Sequence, residues 1–360
     1  MGRMESWRPL EGGQPLQLVL FEASARDQTN MVALYDVAPR FCFELATGDT
    51  VAERRTKIIE REFAFGSRRY RITLKPTRMK TAGGGEVDRY LGEREQIVEE
   101  VIRRLAADRG RLTLHEQKNV RFAFTVYELR EELRRVKHSY SSTEIVEAIV
   151  LLQEVRIMIQ DLDGKGSPLL HSAAFPEVGF RRRDDDEAET FVEFNSLVAK
   201  AIKQLTFQQV DYDTLMEVRD PVARWLLKRL QIQVATTKCP VQRMTATDIR
   251  RDSGMPEWKK TRDMFRRVHR AVGVLADVGV IDSMEVKNMK VGRRIADVVF
   301  TMAVSPDFMA KVHASNRIAR QNFEEFARLT NLAEPSDEFV EVGEAEVYRI
   351  RASREVTAAV

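Results

Sequence analysis

The stretch TATDIRRDSGMPEWKKTRDMFRRVHRAVGVLADVG, residues 245–279, decides how this chain folds. Thr245 followed three residues on by Asp248 is a cap, in which a short side chain accepts a hydrogen bond from a backbone donor at the start of a helix. Ser253-Gly254 closes that short helix, because glycine takes the left-handed conformation at little cost. Pro256 suits the opening turn of a second helix. Trp258, Thr261, Phe265, Val268, Val272 and Leu275 then fall on one face at helical spacing, which predicts a helix over 257–279. After Gly279, Ile281–Val286 and Ile295–Met302 read as two strands joined by a polar hairpin.

The same order occurs earlier. A strand over Val120–Phe124 precedes a helix opened by a capping box, Thr125 with Glu128. A second box, Ser141 with Glu144, opens a helix through Ile145, Ile149 and Leu152. A hairpin follows, with strand Arg156–Gln160, a turn at Asp161–Ser167 and a return before Pro176. Helix, turn, helix, hairpin is the order of a winged helix. The expected fold class is therefore α+β, predominantly helical, with two winged-helix domains and an N-terminal β-rich extension. The expected divisions are a flexible arm (1–30), an extension holding a β-hairpin (31–85), a first winged-helix domain (86–180) and a charged junction (181–190). A second winged-helix domain with a C-terminal helix (191–331) and an acidic, disordered tail (332–360) complete the chain. Within the second domain, a strongly apolar helix runs through Val222, Trp225, Leu226 and Leu230, which places Trp225 in a core.

At 360 residues the length fits two domains plus extensions. Lys and Arg number 58 against 55 Asp and Glu, a net charge of only +3, so the placement of charge matters more than its total. Two cysteines, Cys42 and Cys239, give no disulfide framework and no metal spacing, and suit a reducing cytoplasm. No run of about 18 apolar residues predicts a membrane span. The histidines His115, His138, His171, His269 and His313 are isolated, without the pairing a zinc hydrolase needs. Asp163-Gly164-Lys165-Gly166-Ser167 lacks the spacing of a phosphate-binding loop. These features predict no enzyme, no metal and no cofactor.

Positive charge gathers on residues 250–294. Lys259, Arg262, Arg266 and Arg270 lie three and four apart, hence on one helical stripe. Lys260 and Arg267 belong to the same segment. Arg250 and Arg251 extend the field from the preceding helix, and Lys287, Lys290, Arg293 and Arg294 carry it to the hairpin tip. A helix entering the major groove beside a basic wing needs cations at these two places, for phosphates and for base edges. The expected partner is double-stranded DNA, and Arg266→Ala with Arg270→Ala is expected to abolish binding without unfolding the chain. The first unit is paler: Ser139, Tyr140, Ser142 and Thr143 can bond phosphates or bases, but Glu144 and Glu147 oppose them. That unit reads equally well as a dimerisation or scaffolding domain.

Several segments resemble plasmid replication initiators of theta-type replicons. They are 191–197 (FVEFNSL), 220–230 (DPVARWLLKRL), 248–254 (DIRRDSG) with the basic helix after it, and 92–100 (GEREQIVEE). The resemblance covers about Gly92–Ile318. It implies tandem winged helices that bind origin repeats (iterons), promote origin melting and recruit the host initiator and replicative helicase. It also implies a homodimer that represses its own promoter, and makes the second domain the stronger iteron reader. A transcriptional regulator with the same DNA-binding apparatus, and a protein-interaction scaffold that binds no DNA, are the rival readings.

Overall fold

The computed structural model describes residues 28–43, 58–80, 86–108, 112–114, 119–164, 166, 168–180 and 190–330. The arm before residue 28, the glycine loop at 83–85, the charged junction at 181–189 and the acidic tail after residue 330 lie outside the described residues.

The chain runs β1 (Gln28–Met31), α1 (Ala33–Val37), β2 (Ile59–Phe65), β3 (Arg68–Lys75), β4 (Thr77–Lys80), β5 (Glu86–Arg89) and α2 (Glu93–Asp108). It continues β6 (Leu112–Leu114), β7 (Val120–Phe124), α3 (Val126–Arg135), α4 (Ser142–Glu154), β8 (Arg156–Asp161), β9 (Pro168–Ser172), β10 (Val178–Gly179) and β11 (Thr190–Glu193). Then come α5 (Ser196–Gln204), β12 (Gln208–Asp211), α6 (Tyr212–Glu217), α7 (Pro221–Thr237), β13 (Val241–Thr245) and α8 (Ala246–Ser253). The last elements are α9 (Thr261–Asp277), β14 (Ile281–Val291), β15 (Arg294–Val304) and α10 (Pro306–Thr330). The class is α+β, with 46% of the structure helical and 32% strand.

The local signals form as their chemistry requires. Thr125 accepts from the Glu128 amide at 3.1 Å while Glu128 accepts from the Thr125 amide at 2.9 Å. Ser141 and Glu144 repeat the exchange at 3.2 and 2.8 Å. Thr245 caps α8 by accepting from the Asp248 amide at 3.0 Å. Trp225 is buried on α7 and its indole Nε1 donates to the Val37 carbonyl at 2.9 Å.

Long-range pairing builds the sheets. The hairpin β2–β3 turns through Gly66, at φ 62°, and lies antiparallel to β8, so β8–β9 becomes part of a four-stranded sheet ordered β2-β3-β8-β9. Strand β1 pairs with β12, about half the chain away, at Gln28↔Asp211 through Met31↔Gln208. A three-stranded sheet ordered β13-β15-β14 backs α8 and α9. Connected buried apolar residues extend from Met31 to Val312.

Helix α2 is buried on all sides from Glu95 to Ala107, although that span contains Glu95, Gln96, Glu99, Glu100, Arg103 and Arg104. Its charges meet the short helix α1 and the long helix α7. Asp36 accepts two bonds from Arg103 Nη1, at 2.7 and 2.9 Å, and one from Lys228 Nζ at 3.0 Å. Lys228 also bonds Glu100, and Arg40 pairs with Glu99 at 2.7 Å. Asp36, Glu99 and Glu100 thus balance Arg40, Arg103 and Lys228, which is the condition for burying charge.

Candidate nucleic-acid interface

The interface is built from α8, the loop after it, α9 and the β14–β15 hairpin. Helix α8 buries Ala246 and Ile249 and ends at Gly254, whose φ of +76° is the left-handed cap expected. A Cβ at this position would stand 2.6 Å from Arg61 Nη1 and 2.8 Å from Pro39 Cβ. Gly254→Ala therefore adds a collision to backbone strain, and is expected to destabilise by about 1–3 kcal/mol in a urea melt. A loss below about 0.5 kcal/mol would show that the N-terminal segment gives way freely.

The second helix starts later than its sequence pattern suggests. Helix α9 begins at Thr261, so Pro256, Trp258, Lys259 and Lys260 lie in the approach and not in the helix. Met255 is the reason: it is buried beside the Gly254 cap, and a residue before proline avoids the helical conformation. The chain crosses this gap without regular structure and bends at Lys259 and Lys260, with Glu257, Trp258, Lys259 and Lys260 exposed. Trp258 accordingly leaves the apolar face, where Met264, Val268, Ala271, Val272 and Leu275 are the buried positions. Thr261 is exposed and Phe265 is half-buried.

The cations divide into tied and untied groups. Arg267 is buried and forms a two-pronged pair with Asp220, at 2.7 and 3.1 Å. Asp220 also caps α7 through the Val222 and Ala223 amides, at 2.9 and 3.0 Å. Arg267 therefore joins α9 to α7, and its guanidinium is turned into the protein rather than to solvent. Arg251 bonds Asp252 at 2.6 and 3.1 Å and pairs with Asp248 at 3.0 Å. Its hydrogen bonds to Asp252 hold the Arg251 guanidinium above its ordinary pKa. Arg250 is largely covered, with Glu257 at 3.6 Å. Arg266 is exposed and bonded to Asp263, whose carboxyl that bond holds below its ordinary value.

Lys259, Lys260, Arg262 and Arg270 are exposed, and none makes an ion pair among the described residues. Arg262, Arg266 and Arg270 stand four apart, one above another on the solvent face of α9. His269 is exposed beside them, with its ring 6.2 Å from that of Phe300. The field thus contains fewer free cations than the segment has basic residues.

The hairpin carries the remaining charge away from the sheet. Strand β13 pairs with β15 only from Val299 to Ala303, whereas β14 and β15 pair out to Val291↔Arg294. Beyond Val299 the hairpin is a two-stranded ribbon. Lys287, Lys290, Arg293 and Arg294 on it are exposed, again without ion pairs among the described residues. Its root packs against α9, which fixes the ribbon beside the basic helix. Gly292, at φ +61°, supplies the first central residue of a two-residue hairpin turn.

The first unit differs. Ser139, Ser142 and Thr143 are exposed around the start of α4, and Tyr140 is half-buried with its ring stacked on His138, centroids 6.5 Å apart. Burial raises the Tyr140 phenol, helped by the negative charge of Glu93. Helix α4 contains Glu144, Glu147 and Glu154 but neither Lys nor Arg. Nearby, Arg94 pairs with Glu147, Arg134 with Glu131, and Arg135 with Glu132 and Asp213. The structure brings the hydroxyl residues together on a face where Arg94, Arg134 and Arg135 are engaged with acids and Lys137 is exposed.

Two features of the interface lie outside the sequence expectation: the exposed Trp258 and the apolar side chains of the ribbon, Val286, Met289, Val291 and Ile295. A signal for the second exists. Strands β14 and β15 have 11 residues each, whereas β13, which pairs with β15 alone, has only 5, so part of the hairpin has no third strand beside it. Among the described residues no cluster of His, Cys, Asp and Glu suits a metal ion. No helix among them is long and apolar enough to cross a membrane. Cys42 is half-buried, Cys239 is exposed, and both are free.

No family model and no curated protein matches the chain. Among solved structures it is similar to a selenomethionine form of domains 2 and 3 of RctB, with 9% identity and a TM-score of 0.42, over 76% of this chain and 96% of that one. A second structure of RctB domains 2–3 gives 8% identity and a TM-score of 0.41, over 78% and 99%. The Pi initiator protein in complex with iteron DNA gives 12% identity and a TM-score of 0.40, over 60% and 96%.

Proposed function

We propose that the chain is a sequence-specific double-stranded DNA-binding replication initiator, acting by recognition and without catalysis. The observation that carries the binding is the set of exposed cations, free of ion pairs among the described residues, on α9 and its approach and on the ribbon packed beside it. In this reading α8, the Gly254 turn, α9 and the β14–β15 ribbon form a winged helix. Helix α9 lies in the major groove, with Arg262, Arg266 and Arg270 toward bases and phosphates, and Lys259 and Lys260 meet the backbone at its entry. The ribbon takes the neighbouring phosphates. Arg251 and Arg267 hold the reader together and do not touch DNA. The α3–α4 unit, with Ser139, Ser142 and Thr143 exposed, adds neutral hydrogen-bond donors and acts chiefly in dimerisation. Binding to origin repeats, melting of the origin, recruitment of the host initiator and helicase in the cytoplasm, and repression of its own promoter by a homodimer complete the proposal.

The test is a DNA-binding titration at several salt concentrations, with duplex flanking the protein's own gene against random duplex. Selective binding is expected, with log K falling by about 0.9 per log unit of salt for each phosphate neutralised. Footprints repeated at a helical-turn spacing are expected for origin repeats. Equal weak binding to both duplexes, or none, overturns the proposal in favour of a scaffold. An origin that still replicates without this gene makes the chain a transcriptional regulator instead.

A further inference from the structure

Cations explain the ribbon's attraction to a phosphate backbone, but they do not explain its apolar side chains. Val291 is the most exposed of the large apolar residues among those described, at 74%, and sits at the apex beside Gly292. Met289 is 49% exposed and Ile295 45%. Exposure of this kind on a basic, projecting element calls for an occupant.

The register sets the pattern. Residues paired across strands share a face, as do residues two apart on one strand. Lys287, Met289, Val291 and Arg294 therefore share one face. An irregularity between Met289 and Lys290 shifts the pairing, so that Lys290 meets Ile295 on the other. Each face of the tip thus presents apolar groups between positive charges. The acidic residue nearest the tip on β15, Asp297, is engaged with the Thr247 and Val298 amides at 3.2 and 2.8 Å. A second copy of the ribbon would set Lys287, Lys290, Arg293 and Arg294 against their own duplicates, which charge repulsion disfavours. A polyanion whose interior is apolar and stacked suits both groups at once. Duplex DNA entered through its minor groove has that chemistry: cations follow the phosphates, and apolar side chains pry at a base step.

Resting on the DNA-binding reading above, we propose that the tip of the β14–β15 ribbon enters the minor groove and that Val291, with Met289 on its own face and Ile295 on the opposite one, wedges a base step and bends the duplex. The branched Val291 is stiff at χ1, so it holds a fixed shape against the bases. The cost of unstacking falls at flexible pyrimidine–purine steps, which makes the tip selective for sequence that it does not hydrogen-bond.

The experiment uses the full chain and its selected duplex, with bending read by circularly permuted fragments or by end-to-end energy transfer. The wild type is expected to bend the duplex by about 20–90°. Val291→Ser, with Ile295→Ser added in a second variant, is expected to remove more than half of that bend. The salt slope should hold, because every cation remains. Both positions are exposed, and an unchanged thermal melt establishes that each variant is folded. A bend unchanged in the folded double variant overturns the wedge and leaves DNA binding standing. A fall from dimer to monomer in sedimentation with an unchanged bend assigns the tip to self-association and also overturns it. A wild type that binds no duplex overturns this inference together with the function it rests on.

Discussion

Asp36→Ala is expected to destabilise the chain by about 3–5 kcal/mol, because it removes the acid at the centre of a buried charge network. The Asp36 carboxylate faces Arg103 and Lys228 directly and Arg40 at 3.7 Å, and it accepts from the Val32 amide at 2.6 Å. Without it, Glu99 and Glu100 are left to balance Arg40, Arg103 and Lys228, and one positive charge is uncompensated out of water. The sign of the pH dependence follows. Burial pushes the Asp36 carboxyl up, but Arg103, Lys228 and Arg40 together overcome that and hold it well below its ordinary value of 3.8. A group whose folded pKa is depressed gives stability that is present above its unfolded pKa and lost as pH falls toward the folded one. Urea melts from pH 7 down to about pH 2.5 should show the wild type losing stability below about pH 4. Asp36→Ala should start lower and fall less steeply there. A deficit under about 1 kcal/mol at pH 7 would mean that water or rearranged acids reach the site.

Arg262→Ala with Arg270→Ala is expected to weaken DNA binding by about 2–4 kcal/mol, roughly thirty- to a thousandfold. The salt slope should drop by about 0.9 for each phosphate that no longer meets a cation. Stability should stay within about 0.5 kcal/mol, since both side chains are exposed and neither is ion-paired among the described residues. The pair suggested by spacing alone, Arg266 and Arg270, is less clean, because Arg266 is engaged with Asp263. Arg267→Ala is the contrasting control. It should lower the melting temperature, because it strips Asp220 of the partner that ties α9 to α7. Unchanged affinity in the Arg262/Arg270 double variant would move recognition off this helix.

What was legible in the sequence was local. Thr125, Ser141 and Thr245 announce helix starts because their partners are three residues away, and Gly254 announces an end because few other residues take its φ. The two hairpins after the helix pairs were readable for the same reason. The start of α9 was not: Pro256 by itself suits a first helical turn, and only the fold shows Met255 buried and the helix beginning at Thr261. The network around Asp36 was hidden too. Helix α2 shows helical spacing at Ile97, Val98, Val101, Ile102 and Leu105, but nothing in that spacing tells that its charged side is also covered. Helix α1, of five residues, is too short to carry a period at all. Among the candidate site residues, segment charge counts cations without showing which of them the fold ties up. Asp220, which ties up Arg267, is 47 residues away along the chain.

The turn at Gly254 has a consequence for how such a chain can be inherited. Asp252, just before it, accepts from the Ala64 amide of β2 at 3.1 Å, and Arg61 from the same strand donates to the Pro39 and Phe41 carbonyls at 2.9 Å beside it. Asp220 on the other flank completes Arg267. The part that would read DNA is therefore closed at its edges by groups it does not encode. Grafting residues 241–304 onto another chain would carry the cations but take from Asp252 its bond to the Ala64 amide, uncover the Gly254 turn and strand Arg267. Recombination between relatives can exchange this unit only if it also brings, or happens to meet, a matching strand and a matching helix cap. Specificity in such a chain is free to change by substitution on the face of α9, and much less free to change by shuffling.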